Sequence, residues 1–149
     1  MAGRTYTAWA HGVAAMPENP EIPVRRQGFG VTFTIPAGCS EWIHLPVPTP
    51  AMVADARAAL ERVQVLFDAR DACALTAVHV HDGPERILLH EDMKVEGDHS
   101  RGLDAMNVFP VARADIRFGV AISLLIAAGP VDGGFFLTGF GGEFRYELP

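Results

Sequence analysis

Apolar and polar residues alternate with a period of two along most of this 149-residue chain. Successive side chains of a β-strand point to opposite faces, so this period predicts strands that bury one face and expose the other. The clearest alternating runs lie at 29–35, 62–68, 77–81, 116–126 and 143–148, and further strands are predicted at 5–11, 41–47, 86–91 and 134–140. In the longest run, one apolar face extends from Ile116 to Ile126.

Turn-forming residues separate these runs at 36–38, 82–84, 129–130 and 141–142. The chain has 15 glycines and 11 prolines, and it shows no internal repeat and no interdomain linker. Many short strands with such turns are typical of sandwiches and barrels rather than βαβ units. The sequence therefore predicts one all-β domain over 1–149, with a two-sheet antiparallel β-sandwich of the jelly-roll type.

The segment 50–60 carries a different signal. Thr49 and Pro50 fit the N-cap and first position of a helix, and 51–60 is rich in good helix formers. The prolines at 46, 48 and 50 favour an extended connection instead, because proline biases the residue before it away from the helical region. We expect an extended connection here and keep one short helix near 50–60 as the alternative.

Composition limits the classes of protein that this chain can belong to. Hydrophobic residues make up 49% of it and charged residues 20%, a balance that predicts a compact fold with apolar surface left for a pocket or a subunit interface. The formal net charge is −6, and the only basic pair is Arg25-Arg26, so neither nucleic acid nor an anionic membrane is an expected partner. No apolar run approaches the ~20 residues needed to span a bilayer.

Two cysteines, Cys39 and Cys73, are too few for a disulfide framework. The first residues show no apolar segment of a secretory signal. We therefore expect a cytoplasmic protein with reduced thiols. Whether Cys39 and Cys73 lie close together is not readable from the sequence.

His79 and His81 form the first candidate site. Residues i and i+2 of a strand share a face, so the two imidazoles would lie side by side and could hold one divalent metal. Candidates for the necessary third ligand are His11, His44, Asp82, His90 and Glu91. The alternative is that Val78 and Val80 face the core and the histidines are two polar residues on an outer face. The sequence thus predicts no cofactor and leaves a divalent metal as a possibility to be tested.

Trp9, His11, Trp42 and His44 form the second candidate site. Each Trp–His pair has the spacing i, i+2, and if the two strands are neighbours, two indoles and two imidazoles would line one surface. Aromatic walls with a few polar groups are typical of small-molecule pockets. The alternative is that the tryptophans are core or interface residues.

The strand 116–126 has a small face that includes Gly119, Ala121 and Ser123. Such a face allows the second sheet, the segment 51–60 or another subunit to pack closely. Together with the apolar composition, it predicts a homo-oligomer, a dimer or higher.

Three stretches resemble an uncharacterised bacterial family of small β-sandwich domains, known only as a domain of unknown function. They are 24–30, 41–50 and 76–87, and 10–12 and 117–123 fit the same order. The resemblance covers most of the chain and implies the sandwich fold. It implies no activity and no functional residues.

No catalytic motif is visible, so the favoured interpretation is a non-catalytic module that binds a small molecule or assembles with itself. The alternative is an enzyme with an apolar β-sandwich or barrel cavity. Such an enzyme would depend on metal through His79 and His81, or would be a cofactor-free cyclase or isomerase that acts by positioning. A third hypothesis is a carbohydrate-binding module that uses Trp9 and Trp42.

Overall fold

The computed structural model describes residues 2–50, 52–53 and 55–148. Its strands are β1 (Ala2–His11), β2 (Met16–Pro17), β3 (Val24–Gln27), β4 (Gly30–Ile35), β5 (Ser40–Val47), β6 (Met52–Val53), β7 (Ala56–Arg57), β8 (Ala59–Arg70), β9 (Ala74–Asp82), β10 (Glu85–His90), β11 (Gly97–His99), β12 (Val108–Asp115), β13 (Val120–Ala127) and β14 (Gly133–Leu148). A single 3₁₀ turn, Gly12–Ala14, follows β1 within these ranges. No helix in the described ranges is long and apolar enough to span a bilayer.

Two antiparallel sheets account for most of the strands. Sheet A is built on the long pair β8–β14. The other edge of β14 pairs first with β4 and then, further along the strand, with β1. Strands β11 and β12 pair with β8, and β3 pairs with β4. Sheet B has the order β10–β9–β13–β5–β2. The short strands β6 and β7 pair only with each other in the described part of the chain. The predicted all-β sandwich is confirmed.

The core lies between the two sheets and is filled by the apolar half of each alternating pattern. Its largest fully buried side chains include Phe33, Phe67, Phe135, Phe140 and Phe144 from sheet A and Ile43, Leu45 and Ile122 from sheet B. The rings of Phe67 and Phe135 stack with their centroids 5.3 Å apart. Burial of each such side chain contributes about 1.5–3 kcal/mol, which is why the period of two decides the fold.

The alternative of a short helix near 50–60 is wrong for the described residues of that segment. Met52–Val53 and Ala56–Arg57 form the hairpin β6–β7, and β8 begins at Ala59. Asp55, between these two strands, has a φ of 62°, in the left-handed region. Ala59 and Leu60 are buried and pair with β14, so cross-strand packing outweighs the helix propensity of this sequence.

The predicted strand 116–126 begins later than its alternation suggests. β13 starts at Val120, and Phe118 is 64% exposed rather than buried with the other apolar residues of the run. The cause is Asp82, whose buried carboxylate accepts hydrogen bonds from the backbone N–H groups of Arg117 (2.8 Å), Phe118 (2.9 Å) and Gly119 (3.1 Å). These bonds hold 117–119 in a turn.

The runs 134–140 and 143–148 are parts of one strand, β14, because the glycines between them allow the backbone to continue closely packed. A Cβ atom on Gly141 would lie 2.3 Å from the carbonyl oxygen of Ala8, so only glycine fits this position of the sheet.

Strand β12 was not predicted. Its alternation is interrupted by Pro110, beyond which the register with β8 shifts.

Asp82→Asn is expected to lower the free energy of unfolding by about 1–3 kcal/mol at pH 7, because an amide cannot accept all three N–H bonds. Burial alone would raise the pKa of Asp82, but the three backbone donors outweigh it and the pKa lies below its usual value. The stabilisation is therefore present above the unfolded-state pKa of ~3.9 and is lost as the pH falls through the folded-state value. Urea denaturation of both proteins at several pH values measures this.

Asp115→Asn is the matched control, because Asp115 is exposed at the end of β12. Equal stability of the Asp82 and Asp115 variants at pH 7 would contradict the role given to Asp82.

Candidate functional site

Side chains of β5 and β9 alternate between the core and the outer face of sheet B. The inward positions are Ile43, Leu45, Val78 and Val80, all fully buried. The outward positions between and beside them are Trp42, His44, His79 and His81. This agrees with the predicted orientation of His79 and His81, and it places Trp42 and His44 on the same face.

Strand β13 lies between β5 and β9 and brings the two groups together. In its register, Ser123 is directly opposite His44 on one side and His79 on the other. Ser123 is nearly buried between these two imidazoles. Neighbouring Cβ atoms in such cross-strand pairs lie ~4.5–5.5 Å apart, which is within hydrogen-bonding reach of their side chains.

Hydrogen bonds hold these side chains in two groups, one of Ser123, His44 and Glu18 and one of His79 and Glu91. Ser123 Oγ lies 2.8 Å from His44 Nδ1, and His44 Nε2 lies 3.1 Å from Glu18 Oε1. On the other side, His79 Nε2 lies 2.9 Å from Glu91 Oε1. A carboxylate only accepts hydrogen bonds, so Nε2 of each imidazole donates to its glutamate. In neutral His44, Nδ1 is then the acceptor for the Ser123 hydroxyl.

Trp42 forms one wall of this site. Its ring centroid is 4.7 Å from that of His79, with a tilt of 46° between the planes, and the His79 and His81 rings are 6.4 Å apart. A shallow, open pocket of about 160 Å³ is lined by Glu18, Trp42, His44, His79, His81 and Ser123. We call these six residues the histidine surface.

The protonation of His81 is shifted by its surroundings. Partial burial and then the neighbouring His79, Arg86 and His44 lower the pKa of His81 below its ordinary value. The neutral imidazole is therefore favoured at neutral pH, and it offers one N–H donor and one acceptor nitrogen.

Trp9 and His11 do not join Trp42 and His44. β1 pairs with β14 in sheet A, whereas β5 pairs with β13 and β2 in sheet B, so the predicted single surface of two indoles and two imidazoles is not formed. Trp9 is exposed and lies over Gly141 on sheet A. His11 Nδ1 accepts a hydrogen bond from the Val13 N–H (3.1 Å) and so caps the 3₁₀ turn. Ligand binding by Trp42 and His44 stays a prediction.

The metal hypothesis for His79 and His81 lacks a third ligand. Across residues 2–50, 52–53 and 55–148, no three His, Cys, Asp or Glu side chains come together in a way that could hold a metal ion. The Nε2 atom of His79 is directed at Glu91, and both ring nitrogens of His44 have partners within the protein.

Of the packing partners that were predicted for the small face of β13, the second sheet is not the one that covers it. Gly119 belongs to the turn held by Asp82, whereas Ala121 and Ser123 face outward and lie beside the histidines. The second sheet packs on the opposite, large face of β13, through Val120, Ile122, Leu124 and Ile126. Small side chains here leave room for the pocket.

Glu18 and the role of Ser123 were not predicted, and Glu91 was named only as a possible third metal ligand beside His79 and His81. Both glutamates lie outside the strands, and their approach to the histidines depends on how β2 and β10 pair with the sheet. Ser123 was noted only for its size. Its position between two histidines follows from the order of the strands, which the sequence pattern does not encode.

A second cavity lies on another part of the molecule. It is an open groove of about 400 Å³ with an apolar lining that includes Met93, Val95, Met106 and Phe109, with His90 and Lys94 beside them.

The two cysteines line neither the groove nor the histidine surface. Both are free thiols, and Cys39 is exposed whereas Cys73 is buried. Burial raises the pKa of Cys73 to about 11, so this thiol is not reactive.

The fold and this site define a β-sandwich protein with a polar, aromatic-walled pocket on one sheet. The chain belongs to DUF6623, a family of unknown function, whose model matches residues 1–130. This confirms the resemblance to an uncharacterised family. No curated protein matches the chain.

Several solved structures are distantly similar. The structure of TmCBM61 in complex with β-1,4-galactotriose is 14% identical over 89% of this chain and 86% of that one, with a TM-score of 0.44. The xylan-binding module CBM86 from Roseburia intestinalis is 8% identical over 100% and 97%, with a TM-score of 0.45. The Agl-KA catalytic domain is 7% identical with a TM-score of 0.49, and this chain spans 28% of its length.

His81 is expected to titrate below the ordinary histidine value when its ring proton signals are followed by NMR against pH. Arg86→Gln should raise this pKa part of the way back, because burial and His79 still act on the imidazole. Since the folded state binds the proton less well than the unfolded state, His81 lowers stability as the pH falls below ~6.5. Arg101→Gln, in the loop before β12, is the control and should leave the titration unchanged; an equal shift in both variants would contradict the assignment.

Proposed function

We propose that the protein is a small-molecule-binding module and that the histidine surface holds a sugar or a similarly hydroxylated ring. The observation that carries this proposal is the presence of the Trp42 indole beside three imidazoles, one hydroxyl and one carboxylate on a single exposed face. An aromatic ring packs against the apolar face of a pyranose, and the polar groups bind its hydroxyls.

The polar groups of the site suit a ligand that both donates and accepts hydrogen bonds. Glu18 lines the pocket and its side chain is 61% exposed, so its carboxylate keeps acceptor positions free for ligand hydroxyls. Glu91, which is bonded to His79, adds a second, 51% exposed carboxylate behind that imidazole. Neutral His81 adds a donor and an acceptor. A neutral ligand with hydroxyl groups matches this mixture better than an anion, which the two glutamates would repel.

The dimensions of the pocket favour a single ring. Its volume of about 160 Å³ is well below the ~300–1,000 Å³ of pockets for drug-sized ligands, and it is open to solvent. We therefore expect weak affinity, with Kd on the order of 0.1–1 mM, which corresponds to about 4–5.5 kcal/mol of binding free energy.

Trp42→Ala is expected to weaken sugar binding at least tenfold, a loss of about 1.4 kcal/mol or more, because the ring loses its apolar contact. The measurement is a titration of the protein with a panel of mono- and disaccharides, followed by tryptophan fluorescence and by NMR chemical shifts.

Trp9→Ala provides the matched control, since Trp9 is the other tryptophan and lies exposed on sheet A. It should leave the NMR titration unchanged, and in that variant fluorescence reports on Trp42 alone. A panel without any binder, or equal losses in the two variants, would contradict the proposal.

Self-assembly is the second candidate. Met16 and Leu89 are 62% and 50% exposed and lie opposite His44 and His79, so apolar side chains border the histidine surface on both sides. A second copy of the chain that covers this face would form a homodimer. Sedimentation analysis tests it: a dimer that dissociates in Leu89→Lys supports this candidate, and a monomer at high concentration removes it.

A cytoplasmic location is also part of the proposal. An exposed free thiol such as Cys39 is typical of proteins in a reducing compartment. Fractionation of the producing cells tests this.

A further inference from the structure

We propose that Ser123, His44 and Glu18 form a hydrolytic triad that cleaves small carboxylic esters, with Ser123 as the nucleophile. This activity goes beyond ligand binding. It uses the same surface but does not require that the natural ligand be a sugar.

The hydrogen-bond geometry fits a nucleophile, its base and an orienting acid. The distances of 2.8 Å from Ser123 to His44 and 3.1 Å from His44 to Glu18 both lie within the ~2.6–3.2 Å expected for such a relay. Glu18 fixes the tautomer, so the free lone pair of Nδ1 faces the serine hydroxyl. In the common serine-protease triad, Nε2 of the histidine faces the serine and Nδ1 faces the acid; here the two ring nitrogens have exchanged these positions. Either nitrogen of an imidazole can accept the serine proton, so the exchange leaves the chemistry the same.

Glu18 is held in place by the backbone as well as by His44. Its N–H donates to the carbonyl oxygen of Trp42 (2.8 Å), and the next residue, Asn19, donates its N–H to Glu41 Oε1 (2.8 Å). The backbone that carries Glu18 is therefore fixed before any ligand arrives, and the bond to His44 orients its carboxylate. This matters because its side chain is largely exposed and would otherwise be free to rotate.

A side chain stabilises the oxyanion that forms when Ser123 attacks the ester carbonyl. β13 is paired on both sides, so its backbone N–H groups belong to the sheet and cannot form the usual oxyanion hole. His81 lines the same pocket, and its lowered pKa keeps the imidazole neutral with one N–H to donate. A neutral histidine is a known type of donor to a developing oxyanion.

The reaction balances with water alone. Ser123 Oγ attacks the ester carbonyl carbon while its proton moves to His44 Nδ1. The bond to the alcohol oxygen then breaks, and the alcohol leaves with that proton. A water molecule next attacks the acyl-serine and gives its proton to His44, and collapse of this intermediate releases the carboxylic acid and restores the serine hydroxyl.

Covalent labelling with a fluorophosphonate tests the nucleophile directly. We expect peptide mass spectrometry to find the phosphonyl group on Ser123, whereas Ser40 and Ser100 serve as internal controls on the same chain. His44→Ala should slow the labelling at least 100-fold, because the hydroxyl then has no base. Absence of label from Ser123, or labelling of Ser100 at the same rate, would overturn the proposal.

Hydrolysis of p-nitrophenyl acetate tests turnover. Surface histidines hydrolyse this ester slowly without any serine, so the decisive comparison is Ser123→Ala against Ser100→Ala. The first should lower the rate at least tenfold and the second should leave it unchanged; equal rates would overturn the proposal. Thermal unfolding of both variants checks that the fold is retained.

Glu18 is a positioning residue, so its test separates orientation from folding. Glu18→Gln should lower kcat about tenfold with KM unchanged, and Glu18→Asp should recover part of the loss. An unchanged kcat in Glu18→Gln would remove Glu18 from the triad. Since no sugar is present in these assays, labelling of Ser123 without sugar binding would overturn only the proposed ligand, and sugar binding without labelling would overturn only the triad.

Discussion

The pairing of β13 with β5 on one side and β9 on the other is the interaction on which the site depends. It sets Ser123 between His44 and His79, and it does so because the opposite faces of the same strands are buried in the core. A slip of one residue would turn Ile122 and Leu124 to solvent and Ser123 into the core, so the register is strongly enforced. Burial of one face of these strands thus positions the polar side chains on the opposite face.

The same constraint explains why the outer face of sheet B is polar and still ordered. His44 is held between Ser123 and Glu18, and His79 is hydrogen-bonded to Glu91; both glutamates lie outside the strands. Side chains with fixed hydrogen bonds lose little freedom when a ligand arrives, and such preorganisation favours both binding and catalysis. Both proposals for this surface follow from that order.

Much of the fold could be predicted from the sequence because alternation reports directly on burial. The strands at 77–81 and 41–47 are both present, and Val78 and Val80 face the core. Errors arose where something other than alternation decided the structure. Hydrogen bonds to the Asp82 carboxylate keep residues 117–119 out of β13. Pairing with β14 places residues 59–60 in a strand, although their sequence has high helix propensity.

For the site, the sequence by itself determined which side chains share one strand face, such as His79 with His81 and Trp42 with His44, because a strand has a fixed period of two. Only the tertiary structure decided which strands are neighbours. It separated Trp9 from Trp42 by placing β1 in sheet A, and it brought Ser123 and Glu18 to His44. The physical reason is that strand order depends on long-range packing of whole sheets, which no local pattern of residues records.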